Sequence, residues 1–180
     1  MAAIDYYNTN DDNILNFGRT IKQLAQTFTA SQNYDIGSVK VKIFDNGAGS
    51  EDDITVAIKA TAAGLPTGGD LATGTIAQGD VPTGSPGSFT ECILDSSISL
   101  TNGTVYAIVL RCDSGTGASD RFSWRSDATS PTYGNGQACQ SVNTGSSWSA
   151  LSTFDMMFET YESGEATASG YMSPNSKFWG

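Results

Sequence analysis

The chain of 180 residues contains no histidine. Histidine is the usual general base at neutral pH and the commonest side-chain ligand of metals such as zinc. Its absence excludes Ser-His-Asp and Cys-His catalytic arrangements, together with every metal site that depends on an imidazole. The sequence therefore predicts a protein that binds or assembles, and not an enzyme.

Basic residues are scarce. The chain has 9 lysines and arginines against 19 aspartates and glutamates, which gives a net charge of −10. Such a surface repels the phosphates of nucleic acids and the headgroups of anionic lipids. We therefore expect neither nucleic acid nor a membrane surface as a partner.

Long apolar runs are also missing. No segment approaches the roughly 18–20 residues that are needed to span a membrane. Residues 1–16 show neither the basic region nor the apolar region of a secretory signal. Either the chain is a mature form, or it is made and used without secretion, as a virion component assembled in the host cytoplasm would be. An extracellular or cell-surface location is the alternative.

Cysteines are few, and their spacing fits no metal knuckle and no C-x-x-C motif. Cys92 and Cys112 each end an apolar strand pattern, where a thiol packs as a small hydrophobic group. We expect the cysteines to be reduced and buried. A bridge between Cys92 and Cys112, or pairing of Cys139 between subunits, stays open.

The sequence is rich in short strand patterns. Residues 36–43 alternate apolar and polar side chains, as a half-buried strand does. Residues 105–110 are apolar on both faces, which predicts a central strand. Turn residues separate about nine such segments, and no segment has a convincing helical pattern. We predict an all-β fold, an antiparallel jelly-roll-like β-sandwich of roughly eight or nine strands with extended N- and C-terminal arms.

The composition divides the chain into three parts. Residues 1–18 are polar and predict an N-terminal arm or edge strand, and residues 19–161 predict the β-sandwich domain. Residues 162–180 are rich in Gly, Ser and Ala and predict a C-terminal tail for docking. Within the sandwich, the Pro/Gly-rich residues 63–70 predict a loop that precedes a short strand at 71–76.

An ordered set of short motifs runs through residues 19–161. The chain resembles the choice-of-anchor β-sandwich modules of bacterial surface proteins, and the related jelly-roll proteins encoded by tailed phages and viral metagenomes. The motifs that carry this resemblance are Leu24–Thr29, Gly37–Val41, Gly64–Gly68, Leu100–Leu110, Phe122–Trp124, Tyr133–Gly136, Gly145–Trp148 and Phe154–Tyr161.

The resemblance implies a β-sandwich in an extracellular or virion context, and it brings no catalytic residues with it. Bacterial members carry a signal peptide and an anchor, so the stand-alone phage-like members fit this sequence better. Our first hypothesis is therefore a non-enzymatic virion structural protein. It would be an accessory or decoration protein on the capsid or tail of a tailed phage, attached through its terminal arms.

The C-terminal tail carries four large apolar side chains in an otherwise linker-like sequence. We expect it to dock on a neighbouring subunit or on another virion protein, within a homo-oligomer or lattice. Packing of the tail on its own sandwich is the alternative. The residues that we expect to mediate attachment are Tyr6, Tyr7, Tyr171, Phe178 and Trp179.

A second hypothesis is a carbohydrate-binding or adhesion module that recognises a cell-surface glycan. Trp148, Tyr133 and Trp124 are predicted in or beside loops, where an aromatic ring can stack on the apolar face of a sugar. The alternative for Trp124 is a place in the core, and the alternative for Trp148 is a plug at the end of the sandwich.

Carboxylates give two further hypotheses. We expect no cofactor, although Asp45, Glu51, Asp52 and Asp53 could supply oxygen ligands to calcium. Such a cluster is also typical of a solvated turn. A pair such as Glu91 and Glu159 could support glycoside hydrolysis without histidine, but nothing in the sequence fixes their separation.

Overall fold

The computed structural model describes residues 1–18, 22–47, 52–113 and 121–164. These residues form two antiparallel sheets that pack against each other as a β-sandwich, with one 3-10 turn at Gln78–Asp80. The predicted all-β fold class is confirmed. Among the described residues, no helix combines the length and the apolar character that a membrane span requires.

One sheet has seven strands, and the long strand β4 organises it. β4 pairs with β7 along one side, and with β13 and then β9 along the other. The N-terminal residues complete the sheet, because β1 pairs with β13 and β2 pairs with β9. The strands are β1 (Tyr6–Tyr7), β2 (Asn13–Phe17), β4 (Tyr34–Asp45), β7 (Ser88–Leu100), β9 (Phe122–Asp127), β12 (Asp155–Met156) and β13 (Phe158–Glu162).

The other sheet has six strands in the order β11-β10-β3-β8-β5-β6. β8 lies between β3 and β5, which confirms the central strand that its two apolar faces predict. The strands are β3 (Gln23–Thr29), β5 (Ile54–Ala62), β6 (Leu65–Ile76), β8 (Val105–Arg111), β10 (Ala138–Ser141) and β11 (Ser149–Leu151).

Large apolar side chains fill the space between the sheets. Trp124, Phe17, Phe28, Phe122 and Phe158 are all less than 2% exposed. The indole Nε1 of Trp124 donates to the Met157 carbonyl at 2.9 Å, so the polar atom of this buried ring has a partner.

A buried polar cluster ties the N-terminal arm to the sandwich. The Tyr34 hydroxyl donates to Asp5 Oδ2 at 2.9 Å, and the backbone N–H of Asp5 donates to Thr160 Oγ1 at 3.0 Å. The backbone N–H of Ile4 also donates to the Thr160 carbonyl at 2.9 Å. Residues 1–18 therefore lie along the edge of the seven-stranded sheet.

The described strands number 13, more than the eight or nine that the pattern predicts. The N-terminal segment forms two short strands, and the turn around Trp148 leads into β11. The last predicted strand divides into β12 and β13 at Met157. The Met157 N–H donates to the Arg125 carbonyl at 3.0 Å, and the Met157 carbonyl accepts from the backbone N–H of Lys42 at 3.3 Å. These short pieces lack the alternation that marks a longer strand.

The prediction of a loop at residues 63–70 is wrong, because most of these residues belong to β6. Ala63 and Gly64 alone form the turn, with φ values of 50° and 77°, and Leu65 already begins β6. The Pro/Gly composition reflects register shifts between β5 and β6, on either side of Lys59, and not a break in pairing.

Candidate functional site

The outer face of the six-stranded sheet carries a second buried cluster, separate from the core. Cys139, Ala25, Val109 and Ala57 are neighbours in register across β10, β3, β8 and β5. Together with Ala107 they are buried, although strand alternation turns them away from the other sheet. Because these side chains are small and project little from the sheet, other segments of the chain can pack closely on this face.

The β5–β6 hairpin covers part of this face. Gln137 Nε2 donates to the Gly64 carbonyl at 2.9 Å, so the hairpin tip reaches the residue that precedes β10, on the far side of β8 and β3. Leu65, just after the tip, packs on the small-residue cluster. The hairpin therefore forms one wall above the sheet.

The loop between β10 and β11 forms the opposite wall and holds Trp148. Asn143 organises this loop: its Oδ1 accepts from the Ser147 N–H at 2.9 Å, and its Nδ2 donates to Ser147 Oγ at 2.8 Å. The Gly145 N–H donates to Ser141 Oγ at 2.9 Å. Trp148 is half-buried, with part of its ring on the small-residue cluster.

A groove runs between the two walls; we call it the outer-face groove. Its first part, of about 200 Å³, is lined by Lys59, Leu65–Gly68 and Gly145–Trp148. Its second part, of about 230 Å³, shares Lys59 and Gly145 with the first and is lined further by Gln23, Asp70, Arg111, Asp113 and Thr144.

Charged side chains form a connected network in the second part of the groove. Lys59 Nζ lies 3.0 Å from Asp70 Oδ1, and Arg111 Nη2 lies 2.9 Å from Asp70 Oδ2. Arg111 Nε also contacts Asp113 Oδ1 at 2.7 Å. Burial alone would raise the pKa of Asp70, but the hydrogen bond from Lys59 and the nearby Arg111 charge outweigh it and lower the pKa.

The groove therefore combines an aromatic ring, hydroxyl-bearing walls and a rigid set of paired charges. Binding sites for small molecules typically join an apolar surface to a few polar groups that are held in place. Carboxylate oxygens accept, and ammonium and guanidinium groups donate, so the network offers both functions to a polar ligand.

The structure separates the three aromatic residues that the sequence suggests for glycan binding. Trp148 lines the outer-face groove, whereas Trp124 is fully buried between the sheets and presents no face to a ligand. The core alternative for Trp124 is thus the correct one. Tyr133 packs on the core instead, with its ring 5.4 Å from that of Phe158 and 5.6 Å from that of Tyr7.

The predicted attachment residues are also divided. Tyr6 is 53% exposed, but Tyr7 is 7% exposed and its hydroxyl donates to Asp127 Oδ2 at 2.6 Å. The Tyr7 side chain is therefore part of the interior and is not an attachment surface. Tyr171, Phe178 and Trp179 lie outside the described residues.

Asp45, the first of the calcium candidates, is held by protein groups. Its Oδ2 accepts from Arg121 Nε at 2.8 Å, and its Oδ1 accepts from the Gly47 N–H at 2.7 Å. Burial would raise the pKa of Asp45, but the Arg121 hydrogen bonds lower it.

Within the described ranges, the calcium candidates Asp52 and Asp53 form no metal cluster with Asp45. Asp53 Oδ1 accepts from the Gln78 N–H at 2.9 Å, and Glu51 lies outside the described residues. Across the described part of the chain, including Asp52, no group of three or more carboxylates or cysteines is placed to hold a metal ion. Calcium binding stays a prediction.

All three cysteines are buried and unbridged. Burial raises the pKa of the Cys92 thiol to about 12, and that of the Cys139 thiol to about 12 as well. These groups are therefore poor nucleophiles at neutral pH.

The two glutamates considered for hydrolysis flank Lys40. Glu91 and Glu159 each pair with Lys40, on opposite sides of β4. The Glu91 carboxylate accepts from Ser38 Oγ at 2.8 Å. The backbone of Lys40 thus separates the two glutamates, and its Nζ lies 4.8 Å from the centre of the Tyr161 ring.

The chain matches no protein-family model, and it matches no curated protein. The resemblance to choice-of-anchor modules therefore stays a prediction from the motifs.

Sequence reasoning did not find Lys59, Asp70, Arg111 or Asn143 as site residues. The charged residues are distant in sequence and meet only through strand register. A signal did exist: alanine, valine and cysteine occupy the middle outward positions of β3, β5, β8 and β10, where a solvent-facing strand would carry larger polar side chains.

Proposed function

We propose that this protein is a non-enzymatic carbohydrate-binding module that holds a glycan in the outer-face groove. The observation that carries the proposal is the placement of Trp148 and the Lys59–Asp70–Arg111 network along one groove. The network would exchange hydrogen bonds with sugar hydroxyls, while the indole face would stack on the apolar face of a pyranose ring. A β-sandwich suits this role because its sheets hold these side chains in fixed register.

A glycan array probed with the labelled full chain tests this function, followed by calorimetry on the best ligand. We expect Trp148→Ala to weaken binding about 10-fold, since a lost aromatic stacking contact and its buried area amount to about 1–2 kcal/mol. Tyr6→Ala is the matched control, because it removes an exposed aromatic side chain from the seven-stranded sheet.

Because Trp148 also packs on the small-residue cluster, its removal could alter the loop. Ser146→Leu offers a second variant: Ser146 is an exposed wall residue, so a leucine there should narrow the groove without adding an aromatic face. This variant should also lose binding while its melting temperature stays near that of the wild type. Absence of any array ligand, or full affinity in both variants, would contradict the proposal.

A second candidate function has separate support: the accessory structural protein of a virion that the motifs predict. Three exposed apolar side chains lie on the seven-stranded sheet or its margin, namely Met1, Tyr6 and Ile93, with Ile93 73% exposed. Met1 and Ile93 line a cavity of about 560 Å³, together with Gly164, after which residues 165–180 follow. We call the cavity lined by Met1, Ile93 and Gly164 the corner. We propose that the corner accepts the apolar C-terminal residues of a second copy.

The two functions use different surfaces, since one uses the six-stranded sheet and the other uses β7 and the chain termini. A protein that assembles through the corner would present the outer-face groove at many copies. Multiple copies raise the avidity for a repetitive cell-surface glycan without any new contact.

A further inference from the structure

The cations of the outer-face groove are already paired with protein carboxylates. Lys59 Nζ contacts Asp70 and also donates to the Gly68 carbonyl at 2.8 Å. Arg111 is shared between Asp70 and Asp113, and Thr55 Oγ1 donates to the second oxygen of Asp113 at 2.7 Å. Each positive group therefore has a carboxylate within direct contact.

Strand register fixes this pairing. Lys59 lies opposite Asp70 across the β5–β6 ladder, and Arg111 lies opposite Thr55 across the β5–β8 ladder. The side chains of Lys59, Asp70 and Arg111 are only 15%, 27% and 14% exposed, so solvent screens them less than it would a fully exposed pair.

The charges also cancel. Lys59 and Arg111 offset Asp70 and Asp113, so the network is neutral within a chain whose net charge is −10. An anionic ligand would meet the negative field of the whole molecule and would have to compete with Asp70 and Asp113 for the two cations. A neutral ligand can instead use the remaining lone pairs and protons without breaking any pair.

We infer that the outer-face groove selects neutral sugars over acidic ones, and that Asp70 is the specificity-determining residue. The ligand class is an uncharged pyranose glycan, and the groove discriminates against sugars that bear a carboxylate or sulfate. This inference rests on the proposed carbohydrate-binding function and deepens it.

Asp70→Asn tests the inference because it keeps the shape of the side chain and removes the charge shared by Lys59 and Arg111. The probes are neutral gluco-oligosaccharides and uronic-acid oligosaccharides of equal length, printed on one array and titrated by calorimetry. Asp80→Asn makes the same change of net charge on the exposed 3-10 turn and is the matched control.

We expect the wild type to prefer the neutral series by at least about 10-fold, and Asp70→Asn to reduce that preference about 5-fold or more by gaining affinity for the acidic series. Asp113→Asn should move the preference in the same direction but less, because the Asp113 side chain is 58% exposed. Asp80→Asn should leave the preference unchanged.

The possible outcomes test the neutral selectivity, the role of Asp70 and the proposed carbohydrate binding separately. A wild type that binds acidic glycans as well as neutral ones overturns the neutral selectivity while leaving carbohydrate binding in place. An unchanged preference in well-folded Asp70→Asn and Asp113→Asn overturns the role of Asp70. A wild type that binds no glycan at all overturns the proposed function itself.

Discussion

Two aspartates face each other across the ladder between β9 and β12. Asp127 and Asp155 are direct register partners, and they are 1% and 4% exposed. Asp127 accepts from the Tyr7 hydroxyl, whereas Asp155 Oδ2 accepts from the Tyr133 N–H at 2.8 Å. Burial, reinforced by the charge of Asp127, raises the pKa of Asp155 to about 6 despite that hydrogen bond.

This raised pKa makes stability depend on pH in a defined direction. Because the folded pKa of Asp155 exceeds the unfolded value, the folded state binds the extra proton between about pH 4 and pH 6. The contribution of this group to the free energy of unfolding is therefore largest at low pH and falls as the pH rises through about 6.

Asp155→Asn should remove this dependence, because an amide keeps an acceptor for Tyr133 without a charge. When the pH is raised from 4 to 7, we expect the free energy of unfolding of the variant to increase by about 2–3 kcal/mol relative to that of the wild type. Urea unfolding at both pH values measures this difference. Asp11, Asp45 and Asp70 have lowered pKa values, so their contributions to the free energy of unfolding fall at low pH. These contributions are the same in both proteins and cancel in the comparison.

Asp80→Asn serves as the control, since this residue is exposed on the 3-10 turn. The same difference in unfolding free energy between wild type and Asp155→Asn at both pH values would show that burial does not raise the pKa of Asp155.

Among the elements, β6 and β7 close one side of the sandwich by direct contact between the two sheets. Gly74 on β6 lies so close to β7 that a Cβ atom there would be 2.4 Å from the Ile93 carbonyl oxygen and 2.7 Å from Cys92 Sγ. Only glycine therefore allows β6 to lie this close to β7. The nearest atom is a backbone oxygen, which can shift only if the strand moves.

Gly74→Ala should therefore destabilise the protein by about 1–3 kcal/mol, the usual cost of overpacking. Gly69→Ala is the matched control on the same strand, where a Cβ would meet nothing within 4 Å and the backbone is not left-handed. We expect Gly69→Ala to stay within about 0.5 kcal/mol of the wild type in urea unfolding. Equal stability of the two variants would mean that β6 and β7 do not approach in this way.

The pattern of apolar residues was sufficient to predict the fold class and two of the strands that organise the sheets. Residues 36–43 lie within β4, and residues 105–110 lie within β8, as their patterns indicate. The first half of β6 could not be predicted, because residues 65–70 have the composition of a turn and are held as a strand by pairing with β5. Local propensity lost to tertiary pairing at this point.

The candidate site could be predicted only in part. The sequence predicts Trp148 as a candidate binding residue because an aromatic side chain is unusual in a Gly/Ser-rich turn. Its partners in the groove were not, since Lys59 and Arg111 lie on strands whose relative register is invisible in the sequence. The fold of the β5–β6 hairpin over its own sheet is likewise a long-range packing choice, made possible by small residues such as Ala57 and Ala107.

At the scale of the whole molecule, the two surfaces that we propose as contact sites lie on different sheets. The six-stranded sheet carries the neutral outer-face groove, and the seven-stranded sheet carries the corner with Met1 and Ile93. Net negative charge keeps separate molecules apart at long range, so self-association needs a specific apolar contact to overcome it. The apolar residues of the C-terminal tail are the segment best suited to supply that contact.

Self-association of the full chain is therefore predicted to depend on the corner and on the tail together. Light scattering after size-exclusion chromatography should show an oligomer for the wild type. Ile93→Ser should shift it towards monomer, because a 73% exposed isoleucine would be buried at the interface. A chain with Tyr171, Phe178 and Trp179 all changed to serine should behave in the same way.

Val142→Ser provides the comparison that makes the result specific. Val142 is 63% exposed and directly follows β10 of the six-stranded sheet, so its loss removes a similar apolar surface far from β7. An oligomer that survives Val142→Ser but not Ile93→Ser places the contact at the corner. A monomeric wild type would contradict self-association. The apolar tail would then either pack on its own sandwich or bind a different protein, as attachment to a capsid or tail requires.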